Sequence, residues 1–225
     1  MTEDKVALRA RMRAARDAFV AELSIETPSP SSPSPAKAGA QLGDGGNDHS
    51  ASSTKLLQLS PGLRRGRGKY LTPSPAFLAR LSPGLTVASY VPMGSEADPS
   101  PLARAAVEAG CVIALPHVTT RDAPMRFLAW DSEDDLIPGV FGLHQPHHES
   151  PALAPDIVLT PLVAFDAALN RLGQGAGYYD KAFAAFPRAW RIGIAWSVQR
   201  VEALPAESWD VPLHAVVTEQ GWITS

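Results

Sequence analysis

Three features of the chain predict an α/β fold with a mainly parallel sheet and helices on both faces. Strand-like apolar runs alternate with helix-like segments from residue 86 onward, and the run at 157–164 is apolar but for Thr160, as a buried strand is. With 225 residues, 45% of them hydrophobic, the chain can bury one good core, so a single domain spanning 1–225 is expected.

In chain order, residues 5–23 read as an amphipathic helix, because Leu8, Met12, Ala15, Phe19 and Leu23 recur at three- and four-residue steps. Lys5, Arg9, Arg13 and Arg16 form a second stripe. It is read either as a solvated basic face or as a face turned to an anion. Composition then changes abruptly: residues 27–68 are rich in proline, serine and glycine and poor in apolar area to offset ordering entropy. They are expected to be a disordered insertion without a catalytic part, and Arg64, Arg65, Arg67 and Lys69 at its end read as a solvated cluster. Residues 86–91 read as a strand, 101–109 as a helix, 111–115 and 125–130 as strands, followed by an irregular proline-rich stretch to Pro155. After the strand at 157–164 come a helix at 178–186, a strand at 190–196 and a last strand or hairpin from 211–218 with Trp222 and Ile223.

Ligands in such sheets bind beyond the carboxyl ends of the strands. Glu96 and the run Arg171-Leu172-Gly173-Gln174-Gly175-Ala176-Gly177-Tyr178-Tyr179-Asp180 both follow strands. Glycine at 173, 175 and 177 lets backbone take positive φ and bring N–H groups to an anion, and the following helix adds its positive dipole end. Arg171 supplies a cation, and Asp180 a carboxylate suited to a magnesium ion that travels with phosphates. A tight strand-to-helix turn explains a glycine triplet equally well. The loop lacks the Gly-Lys-Ser/Thr ending of a P-loop and lies too near the C-terminus to open a full dinucleotide-binding half.

Net charge of −3 gives no general attraction to nucleic acid or membrane, so an anion site must be local. No apolar run approaches the roughly 18 residues of a membrane span, and no signal-peptide core is evident, so the cytoplasm is expected. Cys111, the sole cysteine, reads as a buried structural thiol. His144, His147 and His148 read as solvated loop histidines, Trp190 and Trp196 as packing residues, and no Ser/His/Asp triad can be identified from spacing.

Beyond these readings, the chain resembles the 5-formyltetrahydrofolate cyclo-ligase (5,10-methenyltetrahydrofolate synthetase) family. The resemblance runs through Lys5 to Arg9, Tyr90-Val91-Pro92 with Glu96, Leu115-Pro116, Met125 to Phe127, the block from Pro161 to Asp180, Leu204-Pro205 with Asp210, and Val216 to Glu219. It implies the cyclo-ligase type of α/β domain, akin to the NagB/RpiA/CoA-transferase architecture. It also implies ATP-dependent closure of 5-formyltetrahydrofolate to 5,10-methenyltetrahydrofolate with release of ADP and phosphate, by way of phosphorylation of the formyl oxygen. ATP as co-substrate, Mg²⁺ and a reduced-folate substrate follow from it, with a monomer expected and no nucleic-acid partner. A sugar-phosphate isomerase or CoA-transferase relative, or a non-catalytic folate- or nucleotide-binding relative, is the alternative.

Residue by residue, the resemblance assigns Lys5 and Arg171 to catalysis. It assigns Lys5, Arg9, Arg171, Leu172, Gly173, Gln174, Gly175, Ala176, Gly177, Tyr178 and Tyr179 to ATP. Arg9, Val91, Glu96, Gln174, Gly175, Ala176, Gly177 and Tyr178 are implied to contact the folate, and Asp180 and Asp210 to hold Mg²⁺. This chain departs from the family pattern at Leu169, where glycine is usual, at Gln174 and Gln145, and at His214 in place of a carboxylate. A non-glycine at 169 implies a rebuilt or strained turn.

Overall fold

The computed structural model describes residues 4–25, 71–131, 134–205, 207 and 210–224; the segment 27–68 and the basic cluster at 64–69 lie outside the described residues. Helix α1 (Lys5–Ile25) opens the chain, followed by a single turn, α2 (Pro75–Leu78). The alternation then begins with β1 (Thr86–Ala88), α3 (Ser100–Glu108), β2 (Val112–His117) and β3 (Arg126–Ala129). A short pair, β4 (Ile137–Pro138) with β5 (His144–Gln145), precedes β6 (Ile157–Pro161), and β7 (Ala164–Phe165) pairs with β8 (Arg171–Leu172). Helix α4 (Tyr178–Ala185), β9 (Trp190–Ile194) and the hairpin of β10 (Ala215–Thr218) and β11 (Gly221–Thr224) complete the order.

Seven strands form one sheet in the order β11-β10-β9-β6-β1-β2-β3. The five inner strands are parallel, and the two edge strands, β3 and β11, run antiparallel. Successive side chains of a strand point to opposite faces, so β1, β2, β6 and β10 each supply both halves of the core. Val87, Ile113, Leu115, Leu159, Ile192 and Ile194 meet Phe77, Leu102 and Ala106 on one face. Ala88, Ala114, Val158 and Val216 meet Ala182 and Phe183 of α4 on the other. Helices therefore cover both faces, and the largely apolar strands expected from the sequence are buried on two sides. No helix among the described residues is long and apolar enough to cross a membrane.

The amphipathic face of α1 packs at two places. Phe19, Val20 and Leu23 rest on the first core, while Leu8 and Met12 pack against Val163, Ala164 and Leu172 beside the β7–β8 hairpin. Burying Leu8 and Met12 contributes about 1.5–3 kcal/mol each, enough to hold the basic stripe against the hairpin. The apolar run 157–164 proves to be two elements: β6 ends at Pro161 and β7 leaves the sheet to pair with β8. Composition does not mark this break because Leu162 and Val163 at the turn are themselves buried. Cys111 is buried, its Sγ donates to Ser82 O at 3.3 Å, and burial pushes the thiol pKa up. Trp190 stacks with Phe77 and Trp222, a packing role as expected.

Candidate active site

The carboxyl ends of β1, β2 and β6 open into a cleft of about 850 Å³. Every residue assigned to ligand or metal from the sequence lines it: Lys5 and Arg9 from α1, Val91 and Glu96 after β1, the whole run 171–180, and Asp210.

The β7–β8 hairpin delivers the glycine run. Its turn is organised by Asp166, which is 4% exposed and accepts from Ala168 N, Asn170 N and Leu204 N, each at 3.0 Å, and from Asn170 Nδ2 at 3.0 Å. Leu169, the residue standing where the family usually has glycine, sits at φ 63° with its side chain buried beside Phe165 and Phe183. The turn is thus kept in left-handed backbone at a residue that pays for it in strain, and packing of the leucine side chain offsets that cost.

Within the run, Gly175 (φ 108°) and Gly177 (φ 69°) adopt the left-handed side of φ, as the loop requires. Gly173 does not, which corrects the expectation for that glycine: it continues from β8 in ordinary backbone, and its carbonyl accepts from Arg9 Nε at 2.9 Å. Gly177 begins α4 without a side-chain cap, leaving the first-turn N–H groups of the helix available to an anion.

Two cations of the cleft are already paired with carboxylates. Both terminal nitrogens of Arg171 donate to Asp180 Oδ1, at 2.8 and 2.9 Å, and the guanidinium lies 4.6 Å from the Phe183 ring centre. Lys5 Nζ lies 3.6 Å from Asp210 Oδ2 and 3.5 Å from Glu207 Oε1. Gln174 spans the cleft: its Oε1 accepts from Arg13 Nε at 3.0 Å and its Nε2 donates to Glu96 Oε1 at 3.3 Å. Tyr178 Oη donates to Arg121 O at 2.9 Å and so ties α4 to the opposite wall.

Burial raises the Glu96 carboxyl pKa, opposed by the Met93 N–H on Oε2 at 3.1 Å, the charge of Arg16 and the Gln174 amide. Burial and the Glu96 charge also push the Tyr90 and Tyr179 phenols up, so both remain neutral donors. Asp180 and Asp210 share the cleft, yet no group of three or more potential ligands is found among the described residues. Two carboxylates suit a magnesium ion carried on phosphate oxygens and water, in contrast to a full protein cage.

Several residues that line the cleft or support it escaped the sequence reading. Arg16 had been placed only in the basic stripe, and its three-residue step from Arg13 was the available signal. Asp166 carried only a weak one, an Asp followed at four residues by Asn, as in turns capped by side chains. His144 lines the cleft but remains exposed; His147 pairs with Glu149 at 3.6 Å. Three of the sequence departures, Leu169, His214 and Gln145, lie outside the cleft lining. His214 Nδ1 accepts from Arg191 N at 3.0 Å, and buried Gln145 accepts from Val118 N at 3.1 Å.

A sequence model described as the 5-formyltetrahydrofolate cyclo-ligase family matches residues 78–219. The 5-formyltetrahydrofolate cyclo-ligase of Escherichia coli K12 is 35% identical over 140 residues, 59% of this chain and 77% of that protein. Among solved structures, the 5,10-methenyltetrahydrofolate synthetase of Aquifex aeolicus superposes with a TM-score of 0.61 at 24% identity, covering 98% of this chain and 92% of the other. That of Mycoplasma pneumoniae gives 0.57 at 22%, covering 96% and 99%.

Proposed function

Because the chain belongs to the 5-formyltetrahydrofolate cyclo-ligase family, we propose that it converts 5-formyltetrahydrofolate to 5,10-methenyltetrahydrofolate at the expense of ATP, releasing ADP and phosphate. One observation supports this reading above others: the glycine run, the cations of α1 and the acidic Glu96 face a single cleft large enough for two ligands. The formyl oxygen is a poor leaving group. Transfer of the terminal phosphoryl group to that oxygen makes it a good one, the neighbouring folate nitrogen attacks the formyl carbon, and phosphate departs as the ring closes.

In this reading the chain mainly positions and neutralises. Gly175, Gly177 and the uncapped start of α4 present N–H groups to the phosphates, flanked by Leu172, Gly173, Ala176 and Tyr179. Lys5 contributes a point charge, and Arg9 and Arg171 contribute planar donors. Val91 forms an apolar wall for the folate, Glu96 accepts from its ring N–H groups, and Gln174 and Tyr178 border both ligands. Asp180 and Asp210 would hold Mg²⁺, whose chemistry is to neutralise the charge of the transferred phosphoryl group.

Purified protein with Mg·ATP and 5-formyltetrahydrofolate should produce the near-ultraviolet absorbance of the methenyl product. Omitting ATP should abolish it, which also separates this activity from an isomerase. Arg171→Ala should reduce kcat/KM by about 10²–10³. Turnover that persists without nucleotide would refute the proposal.

A further inference from the structure

Arg16 is 7% exposed, yet it lines the cleft. Its Nε donates to Ser95 Oγ at 2.8 Å, and that hydroxyl in turn donates to Asp17 Oδ1. The backbone carbonyl of Ser95 accepts from Trp196 Nε1 at 2.9 Å, so the segment is held from two sides. Arg16 Nη1, by contrast, is buried with no hydrogen-bond partner. A buried cationic donor left unmade is costly, and native structures keep one where something else completes it. Glu96 follows Ser95 directly, and its two oxygens each accept one bond, from Met93 N and from Gln174 Nε2 of the glycine run, so the unpaired donor lies near a carboxylate that retains acceptor capacity.

Resting on the reading of the cleft as a folate site, we propose that Arg16 is a substrate-specificity residue whose guanidinium donates to the ring carbonyl of the pterin while Glu96 accepts from the adjacent ring N–H and amino group. An amide edge presents an acceptor next to a donor, and a donor beside a carboxylate is its complement. The glutamate tail of a folate is a poorer occupant, because Glu96 and Asp17 would both repel its carboxylates. Ser95 and Asp17 fix the Nε side of the guanidinium, which leaves the unpartnered Nη1 as its free donor. Arg16 thereby acts on binding of the pterin and leaves the nucleotide end of the cleft untouched.

The test compares the full-length protein with Arg16→Gln and Arg16→Lys by calorimetry, without nucleotide. Three ligands are used: 5-formyltetrahydrofolate, an analogue with the ring carbonyl replaced by an amino group, and a 5-formyltetrahydropterin lacking the tail. The parent should prefer the carbonyl compound. Arg16→Gln should bind it about 10–100-fold more weakly, the loss expected for one charge-assisted hydrogen bond, while its affinity for the amino analogue and for ATP changes less than about twofold. The same loss should appear with the tail-less pterin, and the folate KM should rise with the ATP KM unchanged. Arg16→Lys, which keeps the charge without the planar fork, should fall between the two and serves alone if the glutamine variant does not fold. Equal loss for carbonyl and amino compounds, loss confined to ligands bearing the tail, or no loss would each overturn the assignment. Failure of the parent protein to bind any folate would instead overturn the functional reading on which it rests.

Discussion

Replacing Leu169 by alanine and by glycine separates two opposing effects at one position. Truncating this leucine, 1% exposed among Phe165, Phe183 and Leu213, removes packing worth about 2–5 kcal/mol, and both variants lose nearly all of it. They differ in backbone. At φ 63° a side chain costs about 1–2 kcal/mol that glycine does not pay, whereas glycine elsewhere is about 0.5–1 kcal/mol worse than alanine. Leu169→Gly should therefore be less stable than the parent but more stable than Leu169→Ala by about 1 kcal/mol, inverting the usual order. Urea unfolding followed by tryptophan fluorescence gives the comparison directly, provided the m-values agree. An alanine variant equal to or more stable than the glycine variant would refute the claim that this turn stores backbone strain.

Other predictions follow from the same site. Gly175→Ala forces a side chain to φ 108° with its Cβ 3.5 Å from Arg9 Cζ and should lose about 1–3 kcal/mol in urea unfolding, whereas Gly173→Ala, in ordinary backbone and open space, should be near neutral. Asp166→Ala leaves donors of the β7–β8 turn unmet; a loss of about 3 kcal/mol or more, with reduced kcat/KM through a displaced Arg171, is expected in unfolding and steady-state assays. Because the folded pKa of Glu96 is raised, the native state favours its protonated form, and burial of the carboxylate lowers stability as pH rises through that pKa. Folate binding needs the ionised acceptor, so folate KM should rise as pH falls through a value above the ordinary carboxylate range. Glu96→Gln should flatten that limb and show a smaller fall in stability over the same interval, as read from pH series of KM and of the urea midpoint.

Periodicity sufficed for the three longer helices and for the central strands, since mostly apolar segments have few places to go but a two-sided core. It failed where tertiary pairing decides: the β7–β8 hairpin starts at the last residue of the run 157–164 and is set by Asp166 and the register Ala164↔Leu172. At the site, the glycine run was readable because its backbone demands a rare residue type. Gly173 shows the limit of that logic, since a glycine in a motif can serve close approach without positive φ. The part Arg16 plays depends on Ser95, distant in sequence and joined to it only by folding. Its step along the basic stripe of α1 places it on the cleft side but does not tell it apart from Arg9 and Arg13.

The pairing of Arg171 with Asp180 and of Lys5 with Asp210 neutralises these four groups against one another in the resting cleft. A polyphosphate that draws those two cations to itself strands two carboxylates opposite its own negative oxygens, a repulsion unscreened where water is scarce. Only a nucleotide already escorted by positive charge leaves all the partners satisfied. On the function proposed above, the site prefers the complexed nucleotide over the bare anion by counter-ion exchange.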